Sequence, residues 1–240
     1  MKALVTGASA GIGRAFATAL AATGYSVTAV ARREDRLDDL MTTLGPGHDR
    51  LTADLATPEG LRVTAARLAG EPYTLLVNNA GAAVHGDFAA TSLQDALAVV
   101  DLNCRAIVTL AHAFLARAQP GSALVNVSST LGFTPKPGLG VYSATKAFVT
   151  SFSETLWHEQ KARGVHVLAL CPGVTATESQ HAEDVPSWLV QTPEEVADRA
   201  LRAVNGRQGP IVVSGRRNAV LATITGLLPR RTAVSLLGGG

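Results

Sequence analysis

The chain has 240 residues, of which 47% are hydrophobic and 17% charged, and its formal net charge at pH 7 is +2. A chain of this length and apolar content can bury a substantial core, which excludes disorder over most of it. The weakly basic balance lacks the concentrated positive field of nucleic-acid-binding proteins, so we expect no nucleic-acid partner.

Short runs rich in β-branched residues alternate along the chain with longer helical patterns. Strands are predicted at 2–6, 25–31, 49–53, 73–79, 122–129, 165–171 and 210–214. Helices are predicted at 11–23, 33–44, 57–69, 92–117, 141–163 and 193–205. Strands as apolar as "TLLV" and "VLAL" are typical of a sheet covered on both faces. The pattern therefore predicts an α/β, doubly wound fold with a seven-stranded parallel sheet.

We see no linker or compositional break, so we expect one domain over 1–240, with dinucleotide binding mainly in 1–80. Residues 173–191 form a long stretch with little periodicity, which favours a substrate lid. In the tail, 216–240, apolar and basic residues share one helical pattern, formed by Val220, Ile224, Leu227, Leu228, Arg216, Arg217, Arg230 and Arg231. This pattern fits a membrane-surface helix, but packing over the substrate cleft or at a subunit interface is favoured.

A glycine-rich segment, "TGASAGIG", follows the first strand directly and opens the first helix. Gly7 permits a tight turn, and Gly11 and Gly13 let backbone and helix approach a pyrophosphate closely. The free amides and dipole of the helix N-terminus favour the same ligand. The segment therefore predicts a dinucleotide site, which also includes Ser9 and Ile12, although a purely structural turn is the alternative.

The end of the second strand indicates which dinucleotide binds. An NAD site of this kind uses an acid there to accept from the ribose 2'-hydroxyl, but this chain has Ala31 followed by Arg32 and Arg33. Guanidinium groups suit a 2'-phosphate, so NADP(H) is favoured, with NAD(H) possible. The alternative is a solvated helix start, and Arg14 could add to the field.

Several motifs in order resemble those of the short-chain dehydrogenases/reductases, in the shorter single-domain branch. They are TGxxxGxG at 6–13, Asp54, NNAG at 78–81, Asn103, Ser129, Tyr142, Lys146 and the PG at 172–173. The resemblance covers almost the whole chain. It implies a Rossmann-like fold, a nicotinamide cofactor, and reversible oxidation of an alcohol to a carbonyl compound.

The residue chemistry supports the same reaction. Reduction of a ketone leaves an alkoxide that needs a proton, and Tyr142 is our candidate acid. A free phenol titrates near 10, so we expect the ammonium of Lys146, one helical turn on, to stabilise the phenolate by charge. Ser129, preferred over Ser128, would hydrogen-bond the substrate oxygen. The resemblance implies that Asn103 orders a water leading to the lysine; an ordinary buried amide is the alternative.

The resemblance also implies further cofactor contacts. Asp54 and Leu55 would bind the adenine, and residues Asn79, Ala80 and Gly81 the adenosine ribose. The nicotinamide end would lie against Pro172, Gly173, Thr175 and Thr177, with Tyr142 and Lys146 also touching the cofactor. Ala10 departs from the family pattern, since many NADP(H)-dependent relatives have Lys or Arg there. The phosphate site therefore rests mostly on Arg32.

Together these features predict an NADP(H)-dependent carbonyl reductase or alcohol dehydrogenase. A 3-oxoacyl thioester reductase and a catalytically silent NADP(H) sensor are the alternatives. Two lone cysteines, no CxxC and no apolar leader lead us to expect a cytoplasmic protein. No histidine spacing suggests a metal, no segment suggests a transmembrane helix, and surplus apolar helix faces suggest a homodimer or homotetramer.

Overall fold

The computed structural model describes residues 1–178 and 186–238 of the chain. The strands are β1 Lys2–Thr6, β2 Ser26–Ala31, β3 Asp49–Thr52, β4 Leu75–Asn78, β5 Ala123–Val127, β6 His166–Cys171 and β7 Ile211–Val213. The α-helices are α1 Gly11–Ala22, α2 Glu34–Leu44, α3 Pro58–Gly70, α4 Leu93–Val100, α5 Ala106–Leu115, α6 Gly140–Gln160, α7 Pro193–Asn205, α8 Arg216–Leu227 and α9 Arg230–Gly238.

All seven strands pair in parallel in the order β3-β2-β1-β4-β5-β6-β7. The pairing register places one row of apolar side chains on each face of the sheet. Leu4, Leu76, Leu124 and Val167 form a row in one core cluster, and Val5, Val77, Val125 and Leu168 form the adjacent row in the other. Because successive residues of a strand point to opposite faces, both faces must be covered by helices. The predicted doubly wound α/β fold is confirmed.

Several predicted boundaries were too generous. The strand expected at 73–79 is limited to Leu75–Asn78, and the helix expected at 92–117 is interrupted by a π-helical turn, Asp101–Arg105, that joins α4 to α5. The long helix expected at 141–163 ends at Gln160 and continues as a 3₁₀ turn, Lys161–Arg163. The differences at the element ends are one to three residues and follow from end effects that periodicity does not detect, whereas the π-helical turn lies inside the predicted helix.

The tail contains two helices beyond the six predicted. They are separated at Leu228, whose backbone is extended with ψ 149°. Pro229 follows it, and the residue before a proline is driven out of the helical region. Leu228 therefore does not share one continuous helical face with Val220, Ile224 and Leu227, as the sequence pattern suggested.

Taken together, α4, the π-helical turn and α5 span Leu93–Leu115, which has the length and apolar composition that crossing a membrane requires, with a mean hydropathy of 1.4. In α5, the side chains of Leu110 and Phe114 pack into the core beside the sheet. Core packing accounts for part of this apolar composition, whereas Leu93, Leu97 and Val108 remain exposed. Among the described residues, no other helix passes that test.

Candidate active site

Thr6, the last residue of β1, organises the carboxyl edge of the sheet. Its hydroxyl oxygen accepts from the backbone N–H groups of Asn79 and Ala80 at 2.9 and 3.0 Å. The Asn79 side chain in turn donates to the Thr6 carbonyl at 2.9 Å. The loop after β4 is thereby tied to the loop after β1, at the edge where doubly wound folds bind ligands. Thr6 was expected only as a position of the TGxxxGxG motif, and its place in that motif was the signal that could have identified this role.

The glycine-rich loop requires its glycines. Gly7 and Gly11 have φ of +67° and +51°, in the left-handed region. A Cβ on Gly13 would lie 2.2 Å from the Gly7 carbonyl oxygen, so no larger residue fits there. Ala10 precedes α1 without any side-chain cap, so the first-turn amides of α1 remain available to an anion. This uncapped helix start behind a close-packed glycine loop fits a pyrophosphate group.

The two arginines after β2 are placed differently. Arg33 donates to the Glu178 carboxylate at 3.0 Å and to the Ser9 hydroxyl at 3.4 Å, so it lies beside the glycine-rich loop. Hydrogen bonding from Arg33 lowers the pKa of Glu178. Arg32 is exposed and makes no ion pair with a residue in 1–178 or 186–238. Arg33 therefore lies beside the glycine-rich loop, whereas the 2'-phosphate site was expected to depend mostly on Arg32.

Arg14, considered as an additional phosphate contact, pairs instead with Asp39 of α2 at 2.9 Å. At the neighbouring edge of the sheet, Asp54 follows β3 and accepts from the Ala56 backbone N–H at 3.0 Å. Leu55 beside it is buried. A Cβ on Gly60 would lie 1.9 Å from the Asp54 carbonyl oxygen, so close packing of α3 holds this corner in place. The corner adjoins the end of β2, consistent with an adenine-binding position.

Tyr142 and Lys146 both lie in α6, one helical turn apart. The Lys146 ammonium is 5.5 Å from the centre of the Tyr142 ring and donates to the Val127 carbonyl at 2.8 Å. The side chain is almost fully buried, and burial lowers the pKa of Lys146 to about 8. Val127, the last residue of β5, was not recognised as its partner because a backbone carbonyl leaves no signal in sequence.

The pKa of Tyr142 shifts in the direction opposite to the one expected. Burial raises it, and a hydrogen bond with Ser129 only partly opposes this increase. The ammonium of Lys146 is held by Val127 rather than by the phenol oxygen. Because desolvation disfavours the phenolate more than the neighbouring side chains favour it, Tyr142 in this arrangement is a protonated acid.

The two serines after β5 have separate environments. Ser128 donates to the Lys146 carbonyl at 2.8 Å and shares a hydrogen bond with the Thr150 hydroxyl at 2.7 Å. Ser129 accepts from the Leu131 backbone N–H at 3.2 Å and lies close enough to the Tyr142 phenol to lower its pKa. Ser128 therefore anchors α6 to the sheet, whereas Ser129 lies beside the phenol. This placement agrees with the choice of Ser129 over Ser128.

Asn103 lies in the π-helical turn and is fully buried. Its side-chain oxygen accepts from the Ala82 N–H, and its nitrogen donates to the Ala82 carbonyl, both at 2.9 Å. The nitrogen also donates to the Thr145 hydroxyl at 3.0 Å. A Cβ on Gly81 would approach Asn103 Oδ1 to 3.2 Å and Lys146 Nζ to 3.4 Å. Asn103 thus orders the loop after β4 against α6; interruptions of this kind in a helix are common at functional sites.

The segment after β6 borders the same site. The Pro172 carbonyl accepts from the Thr130 N–H at 3.0 Å, and the Thr175 hydroxyl donates to the Gly173 carbonyl at 3.2 Å. Thr177 reaches the glycine-rich loop, since a Cβ on Gly11 would lie 2.9 Å from its methyl group. Of the predicted lid, residues 179–185 lie outside the described residues.

Asn218 of α8 is a site neighbour that sequence reasoning missed. A Cβ on Gly173 would lie 2.5 Å from its side chain, which also donates to the Gln191 side chain at 3.3 Å. Gln191 pairs with Thr175 in an isolated parallel bridge. The tail therefore packs on the loop that follows β6. Within the described part of the chain, no group of His, Cys, Asp or Glu side chains is arranged to hold a metal.

A family model described as short chain dehydrogenase matches residues 1–186 of the chain. The chain is 35% identical over 183 residues to sulfoacetaldehyde reductase 2 of Chromohalobacter salexigens, which covers 73% of each protein. It is also 35% identical over 224 residues to glycine betaine reductase ATRR of Emericella nidulans, covering 84% of this chain but 17% of that protein. Among solved structures it is similar to a short-chain dehydrogenase from Sphingobium yanoikuyae in complex with NADPH, at 32% identity, with a TM-score of 0.82 and 94% of both chains covered. The chain belongs to the short-chain dehydrogenase/reductase family of oxidoreductases.

Proposed function

We propose that the chain interconverts an alcohol with a ketone or aldehyde, using NADP(H) and Tyr142 as acid and base. The observation that carries the proposal is the half-buried phenol of Tyr142, which lies beside Ser129 and one helical turn before the buried ammonium of Lys146. The reductase and the NADPH complex among the similar proteins support the same reaction class.

The bound nicotinamide dinucleotide supplies the hydride in reduction and accepts it in oxidation. The Ser129 hydroxyl donates to the carbonyl oxygen of the substrate and holds it near Tyr142. The raised pKa of Tyr142 keeps its phenol protonated before the reaction, and Tyr142 gives this proton to the substrate oxygen as negative charge develops there. Lys146, held by the Val127 carbonyl, stabilises the phenolate that remains. Asn103 keeps the loop at Gly81 and Ala82 in place beside the lysine.

The preference for NADP(H) rests on two arginines and a missing acid. Ala31 ends β2, where an acid would contact an NAD ribose. Arg33 lies within hydrogen-bonding distance of Ser9, and Arg32 is exposed at the same strand end. A 2'-phosphate would receive charge-assisted hydrogen bonds from these guanidinium groups. In Arg32→Ala, the KM for NADPH is expected to rise far more than the KM for NADH. An equal change in both would count against this assignment.

The reaction is tested with a panel of ketones, aldehydes and alcohols under both NADPH and NADH. Tyr142→Phe should lower kcat by at least about 100-fold, the usual contribution of a positioned general acid, while NADPH binding by fluorescence persists. Tyr25→Phe, outside the site, serves as the matched control. Retention of most turnover by Tyr142→Phe would contradict the mechanism. NADPH binding with no turnover on any substrate would instead favour the sensor.

A further inference from the structure

The last two helices carry an exposed surface that the proposed reaction does not use. We define the C-terminal surface by its exposed apolar residues, which are Trp188, Val220, Leu221, Ile224, Leu227 and Leu236. The fractional exposure of these side chains ranges from 46% at Leu221 to 82% at Leu227. Exposed large apolar side chains grouped on one part of a globular protein often mark an interaction site.

The orientation of α8 is determined by its opposite, polar side. Asn218 is buried and donates to Gln191 at 3.3 Å, and Thr225 accepts from the Thr134 hydroxyl at 3.1 Å. Val220, Ile224 and Leu227 follow the i, i+4, i+7 spacing that places them together on the other side. The helix is therefore held on the protein by hydrogen bonds while its apolar stripe faces outward.

The charged residues of the C-terminal segment all have the same sign. Residues 215–238 contain four arginines and neither Asp nor Glu. Arg216 and Arg217 begin α8, and Arg230 and Arg231 begin α9. The Arg217 guanidinium lies 5.6 Å from the centre of the Trp188 ring and donates to the Trp188 carbonyl at 3.2 Å. Arg230 donates to the Phe133 carbonyl at 2.7 Å, and none of the four arginines pairs with a carboxylate in 1–178 or 186–238. Exposed tryptophan and leucine side chains beside such arginines are complementary to the interface of an anionic bilayer.

A second copy of the chain is a poorer occupant of this surface. In a twofold symmetric dimer the same patch faces itself. The four arginines of each copy would then approach each other, and the segment supplies no carboxylate to pair with them. Juxtaposed like charges oppose association. An anionic lipid surface meets both the apolar and the cationic character without this conflict.

We propose that the C-terminal surface docks the protein peripherally on anionic lipid bilayers, with the α8 stripe in the interface and the arginines among the headgroups. The test is co-sedimentation of the full chain with vesicles of phosphatidylcholine alone or with 30% phosphatidylglycerol, a fraction of about one third chosen to give a strong surface charge. Binding is expected only to the anionic vesicles and should weaken as salt is raised. Equal binding to both vesicles, or binding to neither, would overturn the proposal.

Variants locate the surface. Arg216→Gln with Arg231→Gln should weaken vesicle binding by more than about tenfold, since each arginine near an anionic surface contributes about fivefold. Arg62→Gln with Arg105→Gln removes the same charge from other exposed positions and should bind as the unmodified protein does. Equal loss in both pairs would refute the assignment to this surface.

Two further measurements separate lipid binding from unfolding and self-association. In a Trp157→Phe background, Trp188 is the remaining tryptophan, and its emission should shift to the blue on anionic vesicles only. Leu227→Ser should weaken vesicle binding, with an unchanged circular dichroism spectrum and an unchanged mass by light scattering. A fall in oligomeric mass in Leu227→Ser would show that a second copy covers the surface and would overturn the proposal.

Discussion

The Arg33 guanidinium donates to the Glu178 carboxylate across 3.0 Å and thereby joins the end of β2 to the segment after β6. Arg36 contributes a second, longer contact to the same carboxylate at 3.8 Å. The glycine-rich loop lies between these elements, since Arg33 also reaches Ser9 and Thr177 approaches Gly11. Glu178 is therefore paired with the Arg33 guanidinium, which we expect to contact the 2'-phosphate of the cofactor.

Glu178→Gln should tighten NADPH binding by only about two- to fivefold, because an exposed ion pair is weak and screened by solvent. The carboxylate competes with the phosphate for Arg33, and the amide removes that competition. Fluorescence titration with NADPH and NADH measures the effect, which should be smaller for NADH. Glu59→Gln removes a similar exposed pair, with Arg62 of α3, and should leave both affinities unchanged. Weaker NADPH binding in Glu178→Gln would show that the carboxylate instead aids the site.

Alanine substitutions of Ser129 and Ser128 should have different effects, the first on kcat and the second on the free energy of unfolding. Ser129→Ala is expected to lower kcat by about 10- to 1,000-fold, as for loss of one donor to a reacting oxygen, with little change in stability. Ser128→Ala removes the hydrogen bonds to Lys146 and Thr150 and should lower the free energy of unfolding by about 1–3 kcal/mol. Steady-state kinetics and urea unfolding of both variants check the division. A larger kcat loss in Ser128→Ala would reverse the assignment.

The pH dependence of carbonyl reduction should reflect Lys146. Its pKa of about 8 lies below that of Tyr142, which is raised above the usual value. The ammonium is therefore lost first as pH rises, and kcat/KM should fall tenfold per pH unit above about pH 8. A pH series of initial rates, at saturating NADPH, measures this fall. A profile that stays flat to pH 10 would show that the lysine charge is not needed.

The titration of Lys146 should also change the free energy of unfolding. Below about pH 8, Lys146 is protonated in both the folded and the unfolded protein. Between about pH 8 and 10.5 the unfolded chain binds more protons than the folded one, because burial lowers the pKa of Lys146 from 10.5 to about 8. The free energy of unfolding should therefore rise with pH in this window, by up to about 3 kcal/mol. The measurement compares the unmodified protein with Lys146→Met by urea unfolding at pH 7.5 and 10.5. The difference between the two proteins should shift in favour of the unmodified one; a constant difference would contradict the burial effect.

Gly13→Ala should abolish NADPH binding and destabilise the fold by about 1–3 kcal/mol. The added methyl would lie 2.2 Å from the Gly7 carbonyl oxygen and 2.5 Å from the Asn79 side chain, so the loop must move. Gly70→Ala is the matched control, because a Cβ there meets nothing within 4 Å. Thermal unfolding and NADPH titration measure both effects. Normal binding by Gly13→Ala would mean that the loop tolerates displacement.

The sequence predicted the elements more reliably than their ends. β1 and α7 have the predicted bounds, whereas α8 and α9 were expected only as one continuous tail pattern. Helical periodicity extends over many residues and is easily recognised, but a π turn adds only one residue to a helix already predicted. The interruption at Asn103 therefore required coordinates, although the family resemblance had already marked the position.

Local residue pattern alone determined the seven-stranded doubly wound sheet, because buried strands and their covering helices each carry their own periodicity. It also identified the glycine loop and the Tyr142–Lys146 pair, since both depend on short spacings along the chain. Only the tertiary structure decided that Val127 holds Lys146, that burial raises the pKa of Tyr142, and that Arg33 pairs with Glu178. These features join residues far apart in sequence, and burial and pairing exist only once the chain is packed.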